Sequence, residues 1–192
     1  EISPSAYAED IVVKFDHVSF RFPDADEYTL SDLDFICRRG QTTAVIGGTG
    51  CGKSTLARLI LRFYDVTDGE VAVNGMDVRD MTQNELRSQI SYVPQKAWLF
   101  SGTIADNLRY GNEEAQEEEM HRILSVAQAD FVSGLANGLD AHVAQGGTNY
   151  SGGQKQRLSI ARALMKKADL YIFDDSFSAL DFKTDAALRK AL

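Results

Sequence analysis

Tryptophan occurs once, cysteine twice and proline three times in 192 residues, and no apolar run approaches the ~20 residues a bilayer-spanning helix needs. The missing run excludes such a helix within the chain. Two cysteines, Cys37 and Cys51, make neither a disulfide framework nor a metal pattern. A reducing, cytosolic setting is the expectation. Basic residues are also short: 20 Lys and Arg against 28 Asp and Glu leave a net charge of −8. That balance argues against nucleic acid as a partner, because such a face carries a basic footprint. There is no internal repeat, no low-complexity linker and no signal peptide. The remainder is ordinary, with 44% hydrophobic and 25% charged residues and a length that suits one domain with a sizeable core. The chain opens at Glu1 rather than Met and closes at Leu192 inside what reads as a helix, so a piece of a longer polypeptide is expected.

Alternation of apolar and polar residues predicts a strand over 11–22, with Val13, Phe15, Val18 and Phe20 inward. A turn at 23–26 and a strand over 33–37 follow. The β-branched run at 42–46 (TTAVI) reads as a buried strand, and 54–63 as a helix with Leu56, Leu59, Ile60 and Phe63 on one side. Next come a strand over 70–73, a turn at Asn74-Gly75, and a short helix over 82–89 opened by the capping box Thr82-x-x-Glu85. Residues 90–93 read as a strand, 103–108 as a helix with Thr103 as N-cap, and 113–128 as an acid-rich helix. The five Glu residues between 113 and 119 suit either a basic partner or a solvated helix face. Residues 130–137 continue as helix, 152–167 form a long helix, and 170–173 form a buried strand.

Chemistry concentrates at Gly47-Gly48-Thr49-Gly50-Cys51-Gly52-Lys53-Ser54-Thr55, which fits the P-loop pattern G-x-x-x-x-G-K-[ST]. Its glycines let backbone N–H groups turn inward around phosphate oxygens. Lys53 would reach the β- and γ-phosphates of ATP, and Ser54 would ligate Mg2+. Strand, glycine loop and helix together aim a helix N-terminus at an anion. A flexible Gly-rich surface loop is the plain alternative.

Three further motifs accompany it. Leu170-Tyr171-Ile172-Phe173-Asp174 is a hydrophobic strand ending in Asp, the Walker B form, whose Asp174 would sit by Mg2+. Ser151-Gly152-Gly153-Gln154 opens a helix with two glycines, which exposes N–H donors at the positive end of its dipole. That makes a second phosphate element, unless it is an ordinary glycine cap. One monomer needs only one such element, so a head-to-tail pair of chains is the simplest use of two. Gln95 follows the strand at 90–93 and is placed to contact Mg2+ or water.

With these motifs in order along essentially the whole chain, the sequence resembles the ATP-binding domain of ABC transporters. The resemblance implies an α/β fold: a P-loop NTPase, ABC-type ATPase core with an antiparallel β subdomain (about 10–40 and 70–74) and a helical subdomain (about 97–165), all within one domain of residues 1–192. It implies that Ser151, Gly152, Gly153 and Gln154 form the signature that serves the partner's ATP. It makes Ser178-Ala179-Leu180-Asp181 the D-loop and Gln95 the Q-loop residue. Phe22 falls where the family stacks an aromatic on adenine, although as an isolated residue it also reads as core. Ser54, Gln95 and Asp174 are the implied Mg2+ ligands, and Lys53, Gln95 and Asp175 the implied catalytic residues. Leu99-Phe100-Ser101-Gly102-Thr103-Ile104 is similar to exporters, whose membrane domain precedes the ATPase on the same polypeptide. The implied location is the cytoplasmic face of the membrane.

The departures from the family pattern carry their own expectations. Tyr150 stands where Leu opens the signature, and Ala144-Gln145-Gly146-Gly147 lacks the usual Glu-Arg pair. The position after Walker B, normally a Glu acting as general base, is Asp175. None of His17, His121 and His142 follows the D-loop, so the switch histidine is expected beyond Leu192. These features resemble heterodimeric exporters with one weak nucleotide site, although a homodimer stays open. Two rivals remain. One is a soluble ABC-type ATPase of DNA repair or chromosome architecture, which would need a long coiled-coil insertion. The other is a regulatory half-site that holds ATP without turnover.

Overall fold

A computed structural model describes residues 10–192. The first nine residues of the expected domain lie outside this range. The chain divides into two compact units, one ending at Ile90 and the other spanning Ser91–Leu192.

The first unit is built on a sheet ordered β2-β1-β3-β4, comprising Ile11–Phe20 (β1), Leu30–Arg38 (β2), Asp68–Val73 (β3) and Met76–Asp77 (β4), with every pairing antiparallel. This is the expected β subdomain with one extra strand. Asn74 (φ 48) and Gly75 (φ 81) are both left-handed, the geometry of a tight hairpin whose twist matches its strands. The inward residues of β1 change phase between Phe15 and Val18, and the structure shows why. Three steps along β1 oppose two along β2 there, a bulge centred on His17 (φ 48). The bulge keeps Val13, Phe15 and Val18 fully buried and stacks Phe15 on Phe35 at 4.5 Å.

The same bulge turns His17 outward, where its Nδ1 lies 2.8 Å from Asp32 Oδ1. The hydrogen bond and charge of Asp32, then the charge of Asp34, raise the His17 pKa. A raised folded value means this contact stabilises fully below the ordinary histidine value and is lost as pH rises through the shifted one. An NMR titration is expected to place the His17 midpoint above its ordinary value, and Asp32→Asn should bring it down. An unshifted midpoint would contradict the contact.

Helix α1 spans Lys53–Ile60, shorter than the expected 54–63. Arg62 adopts φ 51 and Phe63 N–H donates to Arg58 O at 2.8 Å, a left-handed C-terminal closure. The guanidinium of Arg62 bonds Val78 O, Met81 O and Asp65, which holds this non-glycine residue in place. Helix α2 (Gln83–Ser88) carries the expected capping box between Thr82 and Glu85. The strand expected over 42–46 does not form. Those residues are exposed, with Val45 at 50% and Ile46 at 93%. A β-branched run becomes a strand only with a hydrogen-bonded neighbour, and this one pairs with none among the described residues.

Ile90–Val93 (β5), which starts at the last residue of the first unit, neighbours Leu170–Phe173 (β8), and in the second unit Gly102–Thr103 (β6) pairs antiparallel with His142–Val143 (β7). Strand β8 is only partly buried, against the expectation of a buried strand. Tyr171 is 36% exposed and uses its hydroxyl to reach Lys166 O at 2.6 Å. Helices Ile104–Arg109 (α3), Glu117–Val126 (α4), Gly152–Met165 (α5) and Phe182–Ala191 (α6) surround a core of Leu99, Ile104, Leu108, Met120, Leu158 and Ile160. Thr103 caps α3 in a box with Asp106. Helix α4 starts later than expected, with Glu117, Glu118 and Glu119 in its first turn, where negative charge suits the positive end of the dipole. That placement favours the solvated-face reading of the acidic stretch. The helix expected at 130–137 is a 3-10 turn over Asp130–Gly134. At Gly111 a Cβ would lie 2.2 Å from Arg162 O, so this crossing of α5 requires glycine.

Candidate functional site

Phe22 and Gly47 to Thr55 belong to the first unit. Gln95, Ser151 to Gln154, Asp174, Asp175 and Asp181 belong to the second. In the first unit, Gly52 caps α1 in a left-handed conformation (φ 92, ψ 8). A Cβ there would sit 2.6 Å from Leu30 Cδ2, and one at Gly47 would sit 2.5 Å from Cys51 Sγ. At Gly50 and Gly52 the left-handed backbone favours glycine. The helix start has no side-chain cap and no acid in its first turn. Its dipole therefore meets no negative side chain of its own first turn, as an anion site requires. Lys53 folds back over the loop, with Nζ donating to Gly47 O at 2.8 Å and Gly48 O at 2.6 Å. Thr55 is buried beneath it. Glycine loop, ammonium and uncapped helix end together fit a phosphate anion.

Phe22 is half-buried and packs edge-on against Phe20 (4.8 Å between centroids) and Tyr64 (5.3 Å). It belongs to an aromatic cluster and keeps part of its surface exposed. Tyr64, which sequence reading missed, completes that cluster.

In the second unit, Gln95 and the carboxylates come together. Gln95 Nε2 donates to Asp175 Oδ2 at 3.0 Å. Asp174 N–H donates to Val93 O at 3.0 Å, and the Tyr92 hydroxyl donates to Asp174 Oδ2 at 3.1 Å. Fully buried Ser176 donates to the same Val93 carbonyl at 2.8 Å. Asp175 itself adopts φ 47, and its carbonyl accepts from Ser178 Oγ at 2.9 Å. Tyr92 and Ser176 were not legible as site residues. Tyr92 stands 82 positions before Asp174, and only the pairing of β5 with β8 brings them together.

The Ser151 to Gln154 turn closes as a capping box. Ser151 Oγ accepts from Gln154 N–H at 3.3 Å, and Gln154 Oε1 accepts from Ser151 N–H at 3.0 Å. One of the expected free donors is thus taken by the chain itself. A Cβ on Gly153 would lie 3.4 Å from Ala179 O, so the 151–154 turn adjoins the 178–181 loop. Asp181 caps α6 through Thr184 N–H at 3.0 Å and accepts from Thr184 Oγ1 at 2.7 Å. These bonds hold the Asp181 carboxyl below its ordinary pKa. Tyr150, in place of leucine, donates its hydroxyl to His142 O at 3.1 Å, and burial raises its pKa.

A family model described as ABC transporter matches residues 30–178. An uncharacterized ABC transporter ATP-binding protein of Mycobacterium tuberculosis is 52% identical over 185 residues, covering 94% of this chain and 31% of that protein. An ATP-dependent lipid A-core flippase of Vibrio vulnificus is 42% identical over 177 residues, covering 91% and 30% respectively. The chain thus spans less than a third of each of these curated relatives. Among solved structures, a bacterial Atm1-family ABC exporter with ATP bound aligns with TM-score 0.89 and 38% identity, over 96% of this chain and 32% of that one. With the family model matching residues 30–178, the chain belongs to the ABC transporter family as an ATP-binding domain.

Proposed function

We propose that this chain binds ATP with Mg2+ and turns it over slowly, as the weak half of a pair of nucleotide-binding domains that powers an ABC exporter. Residues 1–192 act as one ATP-binding domain, with 97–165 as its helical part. A membrane domain on the same polypeptide holds it at the cytoplasmic face of the membrane. None of its own described helices is long and apolar enough to cross a bilayer.

In this reading Phe22 stacks on adenine, the 47–55 loop cradles phosphate and Lys53 neutralises its charge. Ser54, Gln95 and Asp174 hold Mg2+, which when bound offsets charge on the transferring phosphate. Asp175 receives the proton of the attacking water. Ser151 to Gln154 and Asp181 serve the nucleotide of a second ABC ATPase domain. The observation that carries the reading is Asp175. It replaces the glutamate expected there, and its Oδ2 is already engaged by Gln95 at 3.0 Å. A carboxylate drawn back by roughly 1 Å costs on the order of 100-fold in rate.

Single-turnover hydrolysis in the assembled pair tests this. Removing the partner's general base is expected to abolish most turnover, while Asp175→Asn leaves it nearly intact. Equal losses from the two changes would overturn the asymmetry. The same Gln95–Asp175 bond favours a second reading, a regulatory half-site. ATP binding with no turnover in any pairing would select it.

A further inference from the structure

We propose that Tyr92 is a positioning residue for Asp174, holding the Walker B carboxylate in the orientation that Mg2+ needs. The inference rests on the nucleotide reading above and goes beyond it to a residue outside the motifs. Asp174 is gripped by one dipeptide of the neighbouring strand. Val93 O accepts from Asp174 N–H at 3.0 Å and fixes its main chain. Tyr92 Oη donates to Asp174 Oδ2 at 3.1 Å and fixes its side chain. Both come from β5, so the carboxylate plane is set relative to the sheet. Ser176 tightens the arrangement by donating to Val93 O at 2.8 Å and to Asp174 O at 3.3 Å. With Oδ2 tied to the phenol, the direction of Oδ1 follows.

The chemistry suits this role. A hydroxyl donating to a carboxylate makes a charge-assisted bond, stronger than a neutral one. Tyr92 is half-buried, so water competes less for the bond than at the surface. Partners that orient a metal-binding carboxylate are worth about 10- to 100-fold in metal affinity. A tyrosine kept only for packing would do as well without its hydroxyl.

The test is Tyr92→Phe in the full chain, read by a fluorescent ATP analogue titrated once in excess Mg2+ and once in EDTA. The unmodified chain is expected to bind more tightly with Mg2+. Tyr92→Phe is expected to lose about 10-fold of that gain, with affinity in EDTA unchanged. In an Asp174→Asn background the same change is expected to add nothing. A Mg2+ gain equal to that of the unmodified chain would overturn the proposal. So would a parallel fall in EDTA, which marks a structural role. If the unmodified chain binds the analogue with no Mg2+ gain, this proposal falls while nucleotide binding stands. If it binds no analogue at all, the parent reading falls as well.

Discussion

Replacing Asp175 by glutamate is expected to raise single-turnover hydrolysis at this chain's own nucleotide about 100-fold. The backbone at this position is pinned. Asp174 N–H is bound to Val93 O, and Asp175 O accepts from Ser178 Oγ at 2.9 Å. The side chain therefore cannot advance by shifting its main chain, and carboxylate reach is set by its length. Glutamate adds one methylene and extends the carboxylate, which on the proposed reading brings it closer to the attacking water. It also leaves the position where Gln95 Nε2 now meets Oδ2 at 3.0 Å, which frees Gln95 for the Mg2+ proposed above. One cost opposes this. Asp175 sits at φ 47, and aspartate tolerates the left-handed region better than glutamate does. The exchange is expected to lower stability by roughly 1 kcal/mol, visible as a small fall in melting temperature. An unchanged rate with unchanged ATP affinity would show that the site's weakness lies elsewhere than in carboxylate reach.

Legibility followed the range of the interaction. The capping box at Thr82–Glu85 is written within four residues and formed as read, whereas the turn at Ser151–Gln154, read as free N–H donors, closed as a capping box of its own. The four inward residues of β1 were visible too, although their change of phase demanded a bulge that only the register with β2 reveals. Helix ends were less legible. Arg62 and Gln128 both adopt left-handed φ values of 51 and 56, at positions where glycine would have been the signal. Arg62 is held by carbonyls at Val78 and Met81, and Gln128 O by Arg157, none of which is adjacent in sequence. The run at 42–46 shows the converse error. Its composition favours a strand, yet strand formation depends on a neighbour that composition does not name. The candidate site residues within the motifs could be named from spacing. Tyr92 could not, because its contact with Asp174 exists only across the pairing of β5 with β8.

Lys53→Ala is expected to weaken ATP binding about 100-fold, the scale of a lost hydrogen bond to a charged group. Two consequences of the geometry combine. The ammonium now bridges Gly47 O at 2.8 Å and Gly48 O at 2.6 Å, tying the first turn of the loop to the start of α1. On the proposed reading it is also the cation beside the bound phosphate. Alanine removes the tether and the charge together. Arginine is expected not to rescue, although it restores the charge. The larger, planar guanidinium does not take the place of a compact ammonium point charge. The space beside Gly47 is already crowded, since even a Cβ there would lie 2.5 Å from Cys51 Sγ. The loop around Lys53 is exposed, so thermal stability is expected to change by less than about 0.5 kcal/mol in either variant. Titration with a fluorescent ATP analogue separates the outcomes. Alanine binding as tightly as lysine would remove Lys53 from the site, and arginine binding as tightly would show that charge alone, without the two-carbonyl fit, is what the loop supplies.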